Sequence, residues 1–171
     1  MRIDLEDLEA AGGKFSQDYA PDQLLFEEAE MQLIEPVEVR VQARLRNGEV
    51  ELRGGLRTKA TAPCGRCLKP VGLPIDVKFA ERFVPAVSWR DEQQHELQEE
   101  DLNISVFEGQ GIELDDLVKE EILLAVPGHV LCGEDCKGLC PVCRINRNSE
   151  TCGCESKEVD SRWEKLKDLR L

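Results

Sequence analysis

The eight cysteines are the chain's most concentrated source of chemistry, and their spacing limits what that chemistry can be. Cys132, Cys136, Cys140, Cys143, Cys152 and Cys154 crowd into one C-terminal stretch, while Cys64 and Cys67 form a Cys-Gly-Arg-Cys step far upstream. A tight turn across Cys-x-x-Cys points two sulfurs and several backbone N–H groups at one metal ion. Gly138-Leu139-Cys140-Pro141-Val142-Cys143 reads as such a zinc knuckle. Cys152-Gly153-Cys154 brings a second pair close behind it, and Gly153 lets the backbone turn between the two thiolates.

Two catalytic readings of Cys64 and Cys67 fail on their surroundings. A thioredoxin-type pair needs a helix whose N-terminus lowers the first thiol's pKa, but Pro70, Gly72 and Pro74 follow instead. A zinc deaminase shares Pro-Cys-x-x-Cys but also needs an upstream His-x-Glu; His95 and His129 both lie downstream, and neither begins that motif. His129 reads as a surface or capping residue, His95 as a solvated one, and Trp89 and Trp163 as packing residues. What remains is structural metal: zinc, in up to two four-sulfur sites, each closed to substrate.

The shorter a loop, the less entropy its closure costs, so Cys140, Cys143, Cys152 and Cys154 form the most local set. That leaves Cys132 and Cys136 to meet Cys64 and Cys67 across the fold. Joining Cys64 and Cys67 to Cys140 and Cys143 is the alternative.

The elements that must hold these cysteines follow from periodicity. Val37 to Leu45 alternate with Glu38, Arg40, Gln42, Arg44 and Arg46, the pattern of a half-buried strand. Asn47-Gly48 suits a two-residue type I′ hairpin. That turn sets Arg46 opposite Glu49, Arg44 opposite Glu51, Gln42 opposite Arg53 and Glu38 opposite Arg57, with apolar residues meeting on the other face. Leu73 to Val84 reads as a further strand, in which Glu81 marks either a bulge or an inward carboxylate paired with an arginine such as Arg82 or Arg40. Residues 90–101 read as a mobile acidic loop, and Leu102, Ile104 and Val106 as a short strand. A helix near Leu114 to Val126 carries Leu114, Leu117, Val118, Ile122, Ala125 and Val126 on its apolar stripe and stops at Pro127. Further helices are expected over Asp22–Met31 and Ser161–Leu169. The expected fold is α+β: a mainly antiparallel sheet or partial barrel from about Val37 to Phe107, one packed helix, and a small cysteine-rich zinc module. The expected domains are 1–127, with the acidic loop, and 128–171, with the metal module and C-terminal helix.

The formal net charge is −13, unevenly spread. Residues 1–39 and 91–121 are strongly acidic, whereas 40–90 are basic. An acidic protein binds phosphate backbones poorly except through a local basic surface, so RNA contact would fall to residues such as Arg40, Arg53 and Lys59. In the competing reading, a zinc-stabilised acidic adaptor docks a basic protein through segments that include Glu99, Glu100 and Asp101, without touching RNA. The opening Met1-Arg2-Ile3-Asp4-Leu5-Glu6-Asp7 carries no signal or transit pattern, and no apolar run reaches membrane-spanning length. The expectation is therefore a cytoplasmic protein with no membrane partner and no small-molecule substrate.

The ordered set of motifs resembles the bacterial YceD family, the large ribosomal RNA subunit accumulation proteins, which have plastid relatives in plants. The likeness rests on Pro63-Cys64-Gly65-Arg66-Cys67-Leu68, Glu81-Arg82-Phe83, and Ile112 to Pro127 with Asp116-Leu117-Val118 and Glu120-Glu121. It extends through Cys132 to Cys154 and Asp160-Ser161-Arg162. Arg144 stands where the family's knuckle usually has glycine. The resemblance implies a non-enzymatic part in the synthesis, processing or accumulation of large-subunit (23S) ribosomal RNA, with ribosomal RNA or a ribosome-assembly protein as partner.

Overall fold

The Asn47-Gly48 turn sets the frame. Asn47 and Gly48 both take positive φ, 53° and 83°, as a type I′ hairpin requires. In the computed structural model, which describes residues 1–8, 12–26, 30–91 and 103–154, this turn joins the two strands at the centre of the fold. The chain opens with β1 (Arg2–Asp4), a 3-10 turn (Leu5–Leu8), β2 (Gly13–Tyr19) and β3 (Gln32–Leu33). The hairpin is β4 (Val37–Arg46) and β5 (Glu49–Pro63), followed by β6 (Pro70–Pro85) and α1 (Ala86–Asp91). Then come β7 (Ile104–Phe107), β8 (Gly111–Glu113) and α2 (Asp115–Ala125).

The main sheet runs β2-β4-β5-β6-β7, with β3 pairing the far end of β5; it is antiparallel except for β7, which lies parallel to β6. It is an open sheet with one main helix, in line with the α+β expectation. The hairpin register agrees with the sequence reading: Arg46 faces Glu49, Arg44 faces Glu51, Gln42 faces Arg53 and Glu38 faces Arg57. The ion pairs nevertheless form along diagonals or to other strands. Arg46 reaches Glu51 at 3.8 Å and Arg57 reaches Asp76 at 3.0 Å. Long side chains have a choice of carboxylates on a twisted face, and exposed pairs of this kind contribute about 0–1 kcal/mol each.

Alternation splits the sheet into two faces. Val37, Val39, Val41 and Ala43 are buried with Val50, Leu52, Leu56, Phe79 and Phe83, and this inner face forms one cluster with Leu114, Val118 and Ile122 around α2. Full burial of a side chain such as Leu52 is favourable by about 1.5–3 kcal/mol relative to exposure, so this layer carries most of the fold's stability. The two-stranded β1–β8 ribbon completes it through Ile3 and Ile112. Asp115 and Asp116 open α2, where the helix dipole favours them, and Tyr19 Oη donates to Asp115 Oδ1 at 2.6 Å. Ala125, read as part of the apolar stripe, is exposed.

Glu81 is settled by register. β5 and β6 pair without a break from Val50↔Phe83 to Pro63↔Pro70, so there is no bulge. Glu81 sits opposite Leu52 on the inner face and accepts a hydrogen bond from Ser105 Oγ at 2.8 Å; among the described residues a serine of β7, and no arginine, is its hydrogen-bond partner. β6 begins earlier than the sequence suggests. Pro74 is tolerated because β7 covers only Arg82 to Pro85, leaving β6 a neighbour on one side at that point.

The helix expected over Asp22–Met31 does not form in the described part of that stretch. Residues 21–24 turn instead, Gln23 Oε1 accepts the Ala20 N–H at 2.8 Å, and Leu24 and Met31 are buried separately. The expected C-terminal helix, Trp163, His95 and residues 92–101 of the expected acidic loop lie outside the described residues, while residues 90 and 91, expected in that loop, close α1 instead.

Candidate metal centres and the basic sheet face

β5 ends at Pro63, and the chain turns through Cys64 to Cys67 before β6 begins. Leu68 N–H donates to the Cys64 carbonyl at 2.9 Å, Cys64 N–H donates to the Lys69 carbonyl at 2.8 Å, and Leu68 takes φ 60°. The Cys140 turn repeats every part of this. Arg144 N–H donates to the Cys140 carbonyl at 2.9 Å, Cys140 N–H donates to the Ile145 carbonyl at 2.9 Å, and Arg144 takes φ 60°. Both steps are therefore knuckles of one geometry, where only the second was read as a knuckle from sequence. The absence of glycine does not open the second turn: Arg144 takes the left-handed conformation, as Leu68 does in the first.

Each knuckle meets a second cysteine pair. Cys64, Cys67, Cys132 and Cys136 form one group and Cys140, Cys143, Cys152 and Cys154 the other, with the sulfurs of each group within 4.8 Å of one another. Of the two pairings open in the sequence, the structure has the one with the shorter loops. Cys64 Sγ lies 3.9 Å from Cys136 Sγ, and Cys67 Sγ lies 3.6 Å from Cys132 Sγ. Four thiolates at about 2.3 Å from a tetrahedral ion stand about 3.8 Å apart, so these donors fit such an ion. Both groups could hold metal.

Backbone dipoles prepare the knuckle sulfurs. N–H groups of Arg66, Cys67 and Cys132 converge on Cys64 and draw its thiol down to about 6. Those of Cys143 and Val142 draw Cys140 down to about 6. Cys136 is lowered by the Gly138 N–H and, to a lesser degree, by Asn148. The partner thiols move the other way: Cys132, beside Cys136 and Cys67, rises to about 12, and Cys154, beside Cys143, also rises to about 12. Cys152 rises too: the Cys154 N–H draws it down, but Cys140 and burial outweigh that pull. Sulfurs packed this closely resist sharing several negative charges, and a divalent cation removes the conflict.

Little apolar surface supports this region. Cys64, Cys67 and Cys136 form their own small cluster with Val71, Leu131 and Leu139 packed against it. Two residues that the cysteine spacing does not single out join the halves. Arg66 Nη1 donates to the carbonyls of Glu134 and Cys136 at 2.9 and 3.0 Å. Asn148 Nδ2, from the loop of the second group, donates to Cys136 Sγ of the first at 3.4 Å, while Asn148 Oδ1 accepts the Lys137 N–H at 2.8 Å. An Arg inside Cys-x-x-Cys and an Asn four residues before a ligand pair were the available signals, and neither is specific. His129 is exposed and stands outside both groups.

The proposed RNA-contacting residues divide. Arg40 and Arg53 project from neighbouring rows of the outer sheet face and line a shared recess of about 450 Å³. Lys59 lies six residues further along β5, roughly 20 Å away, and pairs with Glu35 at 3.6 Å.

Residues 52–170 match the family model described as large ribosomal RNA subunit accumulation protein YceD. The chain belongs to the YceD family. The matched span includes both cysteine groups and starts within β5, so it takes in Arg53 but not Arg40. Among curated relatives, the uncharacterized protein Rv2926c of Mycobacterium tuberculosis is 30% identical over 70% of this chain and 55% of its own length. The uncharacterized protein YlbN of Bacillus subtilis is 28% identical over 66% of this chain and 62% of its own length. The chain thus spans less than two thirds of the length of the YceD-like relatives it matches. No solved structure matches it. No helix among the described residues is long and apolar enough to cross a membrane.

Proposed function

We propose that this YceD-family chain is a non-enzymatic cytoplasmic factor in the synthesis, processing or accumulation of 23S ribosomal RNA. It acts by binding the RNA or a ribosome-assembly partner, and two structural zinc ions hold its C-terminal module. The family description supplies the pathway. The observation that carries the mode of action is the pair of four-cysteine groups. A tetrahedral ion held by four thiolates has no position left for a substrate or an activated water, so each site serves shape, unlike a three-ligand catalytic zinc. Zinc suits an all-thiolate set better than the harder divalent ions do.

Two measurements test this reading. Deletion of the gene should lower mature 23S RNA or raise its precursors; unchanged levels and unchanged precursors would refute the pathway. Protein purified under reducing conditions should carry two zinc ions per chain, and metal-free protein with four disulfides would refute the sites.

A further inference from the structure

On a solvated sheet face each cation tends to sit beside an acid, and at the two ends of the outer face this is so. Arg57 pairs with Asp76 at one end, and Arg46 with Glu51 at the other. Between them lie two adjacent rows that cross four strands. One is Lys14, Gln42, Arg53, Ala80, and the next is Ser16, Arg40, Gly55, Lys78. These rows hold four cations and no acid.

Like charges in adjacent rows repel, so this arrangement is unfavourable unless an anion is placed on it. Among the described residues, Lys14, Arg53 and Lys78 have no ion pair, and Arg40 has only the exposed Glu38 at 3.6 Å. The floor between the cations is low. Gly55 has no side chain there, and a Cβ at this position would stand 2.8 Å from the Val77 carbonyl, so the strand packing itself excludes one. A recess of about 450 Å³ is lined by Lys14, Arg40 and Arg53, and one of about 360 Å³ over Gly55 is lined by Arg40 and Lys78 together with Glu38 and Asp76.

We propose that these two rows are a binding track for the phosphodiester backbone of RNA, with Lys14, Arg40, Arg53 and Lys78 as its phosphate contacts. The inference rests on the RNA-binding form of the function proposed above and assigns it a surface. Phosphate oxygens need point charges and donors, which lysine and arginine supply. None of the described outward-facing residues of β2, β4, β5 and β6 is aromatic, and half-buried Phe15 is the one aromatic residue lining the 450 Å³ recess, so charge and not base stacking dominates recognition there. With a net charge of −13 over the whole chain, the acidic remainder repels a polyanion and leaves this track as the favoured approach.

The test is titration of the zinc-loaded full chain with a labelled transcript of a large-subunit RNA fragment at a series of potassium chloride concentrations. In Lys14→Ala/Arg53→Ala/Lys78→Ala the slope of log affinity against log salt should fall by about two, at about 0.7 per lost single-strand contact. Arg46→Ala/Arg57→Ala, which removes cations that already have acid partners at the two ends of the face, should leave the slope unchanged. If the triple variant melts below wild type, Arg53→Gln alone replaces it, with an expected fall of about 0.7. Wild-type slope in the track variant, an equal fall in the control, or competition by polyglutamate as strong as by RNA would each overturn the track. Its failure is separable from that of the pathway: if gene loss depletes 23S RNA but the triple variant restores it fully, the track is wrong and the family role stands.

Discussion

The carbonyl of Arg66, at the tip of the first knuckle, accepts the N–H of Leu139, the residue before Cys140 in the second, at 3.0 Å. The two cysteine groups are thus joined backbone to backbone, and Gly138 makes the approach possible. A Cβ on Gly138 would stand 2.9 Å from the Arg66 oxygen, and its φ of 69° is strained for any other residue. Gly138→Ala should therefore lower stability by about 1–3 kcal/mol, from strain and overpacking together. Thermal denaturation of the metal-loaded protein measures it; an unchanged midpoint would show that the knuckles are not held in contact.

Leu68 and Arg144 give the opposite expectation. Both take φ 60° and both are exposed, so each bears the left-handed penalty without packing in return. That penalty is about 1–2 kcal/mol, whereas glycine's extra unfolded-state entropy takes back about 0.4–1 kcal/mol. Leu68→Gly and Arg144→Gly should each stabilise by up to about 1.6 kcal/mol, and Leu68→Val should destabilise because β-branching fits that region worst. Chemical denaturation of the three variants decides the order.

Local chemistry accounts for what could be read from the sequence. Asn47-Gly48 and the alternation around it fix both register and face, and loop closure ranks the cysteine grouping found in the structure ahead of its rival. What escaped depends on distant partners. β2 places Gln17 on its inner side among Phe15 and Tyr19, so its pattern is weak until pairing with β4 defines it. The parallel pairing of β7 with β6 leaves no periodic trace in either strand. The cation rows combine residues from β2, β4, β5 and β6, and no single stretch displays them.

If the proposed zinc sites are present, the two cysteine groups should respond differently to loss of one thiol. Cys64, Cys67 and Cys136 are buried and bridge β5–β6 to the C-terminal region, whereas Cys143 and Cys154 are exposed in a group drawn from one segment. Cys154→Ser should remove one zinc and leave the sheet's melting unchanged. Cys64→Ser should remove one zinc and also free the region after Val130, which limited proteolysis would detect. Equal proteolytic resistance in both variants would show that the first group does not fasten the two parts together.

Glu121 supplies a pH-dependent test of the packing between α2 and β6. Partial burial, and then the charges of Glu81 and Glu120, raise its carboxyl above the ordinary 4.5. A raised folded-state value means the folded protein binds this proton more tightly than the unfolded chain does. Its contribution is therefore most favourable below the unfolded value and is lost as pH rises through the folded one. At neutral pH the charged Glu121 is a burden that a neutral isostere lacks. Glu121→Gln should melt higher than wild type at pH 7, and the gap should close as pH falls towards about 4, where wild type is protonated as well. A constant gap across that range would assign the gain to some cause other than the carboxylate's charge, and a lower melting temperature at pH 7 would contradict the placement of Glu121 beside Glu81.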